Sequence, residues 1–595
     1  MNRGYSVLRQ NPTSGERVMM TKQPWIANYP NGVSPQLASS DIAHLPDLIR
    51  RASNTYSKSI AFTQCMPNGM NGSLTFQQID ELSDDFAVYL REVLRLSAGE
   101  RVAVQMPNCL SYPIVAFGIL KAGCILVNTN PLYTATEMIH QFSDAQAKVL
   151  VIIDMFADRL PEVLPKTNIE TVVTVKASEY FPTVAGALIR VVQKVVHKSL
   201  PKITVKHTKL KEALSQGHKH TKRGQVLDYA KEIKSDSIAA LQYTGGTTGV
   251  SKGAMLSHKN LVVNTLQMMQ MVDKFLLAGK ETILTALPLY HIFAFTVNLL
   301  GLYHMGGRNI VIPNPRPPSN MKKAFENYKI TWVSGVNTLY NALLKEPWFL
   351  ENPPKHLSAS VAGGMSLHQS VATDWQKVTN SPLVEGFGLT ESSPVLTFNP
   401  LGGIAKPGSI GIPMPSTDIR IVDENGKEVN VGESGELIAQ GPQIMLGYWN
   451  NEKETANTIR NGWLYTGDVA QMDEDGYFKI VDRKKDVILV SGFNVYPNEI
   501  EETIAKLSKV KEVGVIGLPD ENTGERVCAY IVASTGTLTQ EEVIAHCEKS
   551  LARYKLPKSV VIVTELPKSP IGKILRRELR RVEMIELANR NQKSN

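Results

Sequence analysis

Tyr243-Thr-Gly-Gly-Thr-Thr-Gly-Val-Ser-Lys-Gly253 follows an apolar, strand-like run, Ile238 to Leu241, and precedes a helix predicted to begin near Ser257. Three glycines within five residues, Gly245, Gly246 and Gly249, let successive backbone N–H groups converge on one concavity. Thr244, Thr247 and Thr248 add hydroxyls and Lys252 adds a positive charge, a combination suited to polyphosphate. The stretch is not a Walker A loop, which needs a hydroxyl residue directly after its lysine. Here Gly253 follows Lys252. Taken alone, the loop reads equally well as a flexible surface loop, so its surroundings decide.

Upstream, from about Ser73 to Asp154, helical and extended patterns alternate. Phe76 to Leu94 has helical spacing, Arg101 to Met106 reads as a strand, and Val149 to Ile153 is a β-rich apolar run. Such alternation predicts an α/β fold with helices covering the sheets. Downstream, strand-like Gly476 to Val481 meets five charged residues, Asp482-Arg-Lys-Lys-Asp486, which read as a solvated connector. A compact α/β pattern follows: a helix opened by Pro497, strands at Val513 to Leu518, Val527 to Ala533 and Val560 to Val563, and a helix to Leu551 capped by Thr539 and Glu542. The expected organisation is a flexible extension over residues 1–24, a large domain over 25–481, a small mobile α/β domain over 482–580 and a polar tail over 581–595.

Composition bounds the function. At 595 residues the chain is about four times the ~150 residues of one domain. With 43% hydrophobic and 20% charged residues it is neither disordered nor collagenous. No apolar run approaches the ~20 residues of a membrane-spanning helix, the longest being Ile292 to Tyr303. Five cysteines without a C-x-x-C pair argue against a disulfide framework and for a reducing compartment. The first twenty residues lack the apolar core of a secretory signal, so a cytoplasmic location is expected. Residues 183–234 carry twelve Lys/Arg against three Asp/Glu, which accounts for the whole net charge of +8. One basic segment suits an anionic surface and does not imply nucleic-acid binding. Within it, Val184, Leu188, Val191, Val192, Val195 and Val196 recur at helical spacing, with Arg190, Gln193, Lys194, His197 and Lys198 mainly on the other face. Two readings stay open: an interfacial helix on the inner face of the cell membrane, or a helix packed on the large domain.

Five further segments carry chemistry-bearing residues: Leu289-Tyr-His-Ile-Phe293, Glu385-Gly-Phe-Gly-Leu-Thr-Glu-Ser392, Tyr465-Thr-Gly-Asp468, Asp482-Arg-Lys-Lys-Asp486 with Ser491-Gly-Phe-Asn-Val-Tyr-Pro-Asn-Glu499, and Pro567-Lys-Ser-Pro-Ile-Gly-Lys573. A lone aspartate, arginine or lysine in any of them would ordinarily be solvated, and a lone histidine such as His291 a satisfied core residue. With the glycine-threonine loop, however, these segments resemble in order and spacing the acyl-adenylate-forming ligases, over about Trp25 to Arg580. The wording of Leu289 to Phe293 and Asp486 to Glu502 is similar to the bacterial long-chain fatty-acid–CoA ligases of that family. Two departures stand out: Gly246 where many members have Ser, and Tyr465 where fatty-acyl members often have His.

The resemblance implies roles. Thr244, Gly245, Gly246, Thr247, Thr248, Gly249 and Lys252 would cradle the ATP phosphates, and Gly386, Phe387, Gly388, Leu389 and Thr390 would take adenine. Asp468 would accept the ribose hydroxyls, with Arg483 reaching ribose or phosphate. Glu391 and Thr244 would hold Mg2+, for which a hard carboxylate oxygen is suited. Lys573 would be the catalytic lysine that contacts carboxylate and ATP, acting with Glu391 and Thr244. His291 and Phe293 would lie near the acyl group, Asp482 would be the domain hinge, and Ser491, Gly492 and Phe493 would serve the CoA step.

The implied reaction joins fatty acid, ATP and CoA through an acyl-adenylate, and a homodimer is compatible with the class. From Thr282 to Lys323 there is no Asp or Glu. An amino-acid substrate would need a carboxylate for its ammonium group, so an apolar acid is favoured. The competing readings are an adenylating enzyme for another apolar acid or for a carrier-protein acceptor, and a non-catalytic fatty-acid-binding or uptake protein.

Overall fold

The computed structural model describes residues 7–10, 17–20, 23–196, 199–222, 224–244, 251–520, 522–534, 537–569 and 572–584. It is a mixed α/β structure with a large N-terminal and a smaller C-terminal domain. The seven-stranded sheet runs Lys252–Ser257, Ile238–Thr244, Ile125–Thr129, Arg101–Gln105, Val149–Ile153, Thr171–Val175 and Thr208–Lys209. All its pairs are parallel except the first. Val149–Ile153 is buried along its whole length, as expected of a parallel strand covered on both faces.

A nine-stranded sheet is parallel through Leu383–Gly388, Ala359–Ala362, Trp332–Gly335, Thr282–Thr285, Arg308–Val311 and Ile60–Cys65, with antiparallel strands at both edges. Tyr303 sits among Phe62, Phe76 and Phe117 at ring separations of 6.0, 4.5 and 4.9 Å, its hydroxyl hydrogen-bonded with Ser53. Each such pair adds about 0.5–1.5 kcal/mol beyond area burial. A five-stranded antiparallel sheet then leads through Trp463–Met472 and Phe478–Arg483 to the small domain. That domain's sheet orders Phe493–Val495, Ile488–Val490, Gly524–Ala533 and Val510–Asp520, with Ser559–Ile562 parallel to Gly524–Ala533.

Several expectations shift in detail. The helix after the glycine-threonine loop does start at Ser257, whose side chain caps it, but the strand Lys252–Ser257 comes first, so the loop joins an antiparallel hairpin. The charged connector is not simply solvated: Asp482 and Arg483 end the Phe478–Arg483 strand and Asp482 is fully buried. Thr539 and Glu542 form the expected capping box, over a shorter helix, Gln540–Cys547. Within residues 1–24, Val7–Gln10 pairs with Arg17–Met20, and the helical run 576–584 crosses the expected start of the tail. Among the described residues no helix is long and apolar enough to cross a membrane.

Candidate active site

A cavity of about 1270 Å3 occupies the cleft between the domains, and most of the predicted site converges on it. Thr244, Lys252, His291, Phe293, Gly386, Phe387, Gly388, Leu389, Thr390, Glu391, Asp468, Asp482, Arg483 and Lys573 all line it. Gly245, Gly246, Thr247, Thr248 and Gly249 lie outside the described residues. Ser491, Gly492 and Phe493 are not in the lining; Phe493 is 56% exposed and stacks on Tyr554 with centroids 4.8 Å apart.

Asp468 and Arg483 are direct cross-strand partners in the antiparallel ladder, which is how residues fifteen apart form a salt bridge of 3.2 Å. Asp468 is buried, and burial raises its carboxyl above the ordinary range against the opposing pull of Arg483. Its second oxygen, Oδ2, is buried without a hydrogen-bond partner. A buried acceptor left unpaired costs about 1–3 kcal/mol, a cost that a donor arriving with a ligand would remove. A ribose hydroxyl has that chemistry.

Glu391 stands on the short helical turn Thr390–Ser392, and its Oε1 accepts the Tyr448 hydroxyl at 2.6 Å. Lys252 is ion-paired to Glu454 and lies 4.9 Å from the centre of the Tyr448 ring. Gly386 to Gly388 end a strand whose backbone flanks the cavity. A Cβ on Gly388 would come within 1.9 Å of the Pro394 carbonyl oxygen, so no side chain fits there. Among the described residues no cluster of three or more His, Cys, Asp or Glu forms a metal cage. Glu391 with the Thr244 hydroxyl nonetheless fits Mg2+, which is commonly held by one or two carboxylates together with nucleotide phosphates.

Lys573 enters from the small domain on a tight turn. The Ser569 N–H donates to the Lys573 carbonyl at 2.8 Å, and the Lys573 N–H to the Ser569 hydroxyl at 3.1 Å. Gly572 has φ +92°, and a Cβ there would lie 2.8 Å from Thr338 Oγ1 of the large domain. Glycine thus permits both the turn and the close approach of the domains. The Arg483 charge, and then burial, pull the Lys573 ammonium down to about 7. Burial, with the charge of Lys573, lowers His291 to about 4, so its ring is neutral at physiological pH. Its Nδ1 accepts the Phe293 N–H at 3.3 Å and caps the turn Ile292–Ala294, which is a structural task.

Part of the cavity lining is an apolar cluster, here called the apolar arm. Met268, Met269 and Val272 reach it from the helix His258–Val272, Val297 from the π-helical Phe295–Gly301, and Leu302, Ile283 and Trp332 complete it. None of these side chains is ionisable.

Sequence reasoning missed several residues. Arg576, three positions after Lys573, donates to Asp482 at 3.0 Å, Asp486 at 3.4 Å and Glu501 at 3.0 and 2.8 Å, and also to Asn498. It ties the lysine turn to the expected hinge. The signal was faint: one arginine in a run of basic residues. Tyr448 and Glu454 support Glu391 and Lys252 from a stretch without chemical patterning. Glu385, one residue before Gly386, is buried, and burial pushes its carboxyl up to about 8.

The architecture and this cleft define a nucleotide-dependent ligase class, and the chain belongs to the AMP-binding enzyme family: the family's main domain matches residues 49–449 and its C-terminal domain residues 499–573. It is 44% identical over 561 residues to the long-chain-fatty-acid–CoA ligase of Yersinia pestis, across 94% of this chain and 98% of that protein. The protein of the same name from Bacillus subtilis (strain 168) is 35% identical, with the same shares of each chain covered. Among solved structures, ATP-bound MatB from Rhodopseudomonas palustris aligns with a TM-score of 0.74 at 28% identity, over 90% of this chain and 98% of that one. The anthranilate CoA ligase AuaEII, in complex with anthranoyl-AMP, shares the fold with a TM-score of 0.80 at 24% identity, over 92% and 98%.

Proposed function

We propose that the chain is a long-chain fatty-acid–CoA ligase working in two steps. A fatty carboxylate oxygen attacks the α-phosphorus of ATP, the bond to pyrophosphate breaks, and acyl-AMP forms. The sulfur of CoA then attacks the acyl carbon, AMP leaves, and the thiol proton passes to solvent. The observation that carries this reading is one cavity with two arms. One holds Lys573, Arg483 and the unpartnered Asp468 Oδ2, and the other is lined by aliphatic and aromatic side chains without an ionisable group, with the Trp332 indole N–H as a polar atom among them.

In the first step Lys573 bridges carboxylate and phosphate and offsets the charge that develops between them, an electrostatic role rather than a covalent one. Asp468 and Arg483 fix the ribose, Gly386 to Thr390 receive adenine, and Thr244 with Lys252 orients the phosphates. Mg2+, held by Glu391 and Thr244, would add positive charge beside the triphosphate. For the second step the small domain turns about Asp482 and brings Ser491, Gly492 and Phe493 to the cleft. The reading divides the chain at 481/482 and includes reversible contact with the inner face of the cell membrane, where long-chain acids partition. A homodimer is the assembly to test by light scattering.

The deciding experiment is fatty-acid-dependent ATP–pyrophosphate exchange over a chain-length panel, followed by product formation with CoA or an acyl-carrier protein as acceptor. Exchange should peak with long chains and turnover should need CoA. Exchange driven only by short or amino acids, or turnover only with the carrier protein, would refute the reading.

A further inference from the structure

An aliphatic ridge stands in solvent where the sequence left two readings open. Thr183–Val191 is an α-helix continued by a π-helical turn, Val192–Val196. Its inner side is anchored: Ile189 is buried, Arg190 is ion-paired to the buried Asp154 carboxylate, and Gln193 donates to Met155 Sδ at 3.4 Å. Its outer side carries Val184, Leu188, Val191, Val195 and Val196, exposed by 52–83%. The first four recur at i, i+4, i+7 and i+11, a single stripe.

The expected cationic face is corrected in the same detail. Arg190 and Gln193 point inward, while His197 and Lys198 lie outside the described residues. Of that face Lys194 is exposed as expected, and Lys202 and Lys206 add exposed charge in the segment that follows. That segment lies against the helix, since Ile203 and His207 line a small cavity together with Arg190.

A surface helix ordinarily turns its apolar stripe to the core, and contiguous exposed apolar surface marks an interaction site. We infer that this ridge is the membrane-docking surface of the protein, its occupant an anionic lipid bilayer. The aliphatic side chains enter the boundary between headgroups and acyl chains, and Lys194, Lys202 and Lys206 meet lipid phosphates. A second copy of the chain suits the surface poorly, because two segments each with an excess of nine positive charges would face each other. Nucleic acid would leave the ridge in water. The inference deepens the proposed membrane contact and rests on it, but does not depend on the ligase chemistry.

Co-sedimentation of the full chain with phosphatidylcholine vesicles, with and without phosphatidylglycerol, tests it. Wild type should bind the anionic vesicles and lose affinity as salt rises. The variant Val184→Ser/Leu188→Ser/Val191→Ser/Val195→Ser and the variant Lys194→Gln/Lys202→Gln/Lys206→Gln should each bind weakly. At about 1 kcal/mol per basic residue, the charge variant should lose on the order of a hundredfold. Both should keep wild-type melting temperatures and activity on detergent-dispersed substrate. Wild-type vesicle affinity in both variants would overturn the assignment of this surface while leaving membrane contact standing elsewhere. Loss in the charge variant alone would overturn insertion of the ridge, and no binding by wild type would remove the membrane contact itself.

Discussion

The small domain carries two glycine-containing loops whose surroundings are opposite. Lys573 is pressed into the cleft by a turn so close to the large domain that only Gly572 fits against Thr338. Phe493 stands outside, stacked on Tyr554, with Leu489 exposed nearby. The cationic Lys573 is half-buried in the cleft while the aromatic Phe493 is exposed outside it, the reverse of the ordinary preference of each side chain. One cleft cannot hold both. Under the proposed two-step reaction the domain presents its two faces in turn, and the orientation described is the one we assign to adenylation.

The sharpest way to break this contrast is to change one residue in each loop. Lys573→Ala should lower acyl-AMP formation by about 10³-fold, the scale for losing a preorganised electrostatic partner. CoA transfer from supplied acyl-AMP should change little, whereas Gly492→Val should do the opposite. Single-turnover assays of each half-reaction would show it, and equal loss of both steps in either variant would end the two-face account.

A smaller effect is expected at the pivot. Asp482 accepts hydrogen bonds from the Arg483 and Asn498 N–H groups at 2.7 and 2.8 Å and from Arg576 at 3.0 Å. Asp482→Pro therefore removes this knot as well as the freedom of φ, and Asp482→Asn separates the two causes. The proline variant should slow one half-reaction at least tenfold more than the other, and the asparagine variant should slow both modestly. Arg576→Ala leaves three carboxylates with no guanidinium and should cost about 3–5 kcal/mol of small-domain stability. Arg576→Lys should recover much of that stability but less of the adenylation rate, since an ammonium cannot reproduce the fork. Full recovery of both by lysine would reduce Arg576 to a charge.

The apolar arm offers a gentler test. A Cβ at Gly301 would lie 3.0 Å from Met269 Cε, and the Met269 side chain also lines the arm. Gly301→Val should push Met269 inward and lower kcat/KM for the longest acids about tenfold relative to medium-chain acids, a difference of about 1–3 kcal/mol as expected for hydrophobic pockets. An unchanged chain-length profile would place the end of the acyl chain elsewhere.

How much of this was legible beforehand depended on distance along the chain. Parallel strands such as Val149–Ile153 announce themselves because burial on both faces demands unbroken apolar runs. Glycine-bearing segments were legible because close backbone approach leaves a compositional mark, as at Gly388. The Asp468–Arg483 pair was recovered as two separate residues, but their ladder register was not. Arg576 left only a faint signal, since its partners Glu501 and Asp482 lie 75 and 94 positions away in sequence. The sequence allowed Arg190 a solvent-facing role because helical spacing gives the stripe but not which side meets the body, and Asp154 decides that. The exposed ridge and the half-buried lysine could only be seen once the chain was folded.

The smallest effect concerns a single proton. Arg483 and burial hold Lys573 at about 7, far below its ordinary 10.5. Above pH 7 the free side chain is therefore mostly neutral, and below it mostly charged. Arrival of the triphosphate brings negative charge to the amine, which favours the ammonium and raises the pKa. At pH 8 ATP binding should take up a fraction of a proton, approaching about one, and at pH 6 this contribution should nearly vanish because the lysine is already charged. Calorimetry in two buffers of different ionisation enthalpy, with Mg2+ and ATP concentrations fixed, reads the uptake directly. Lys573→Ala should abolish the pH 8 component. Uptake that persists in that variant would assign the proton to another group and leave Lys573 charged from the outset, so the contrast between the two loops would rest on packing alone.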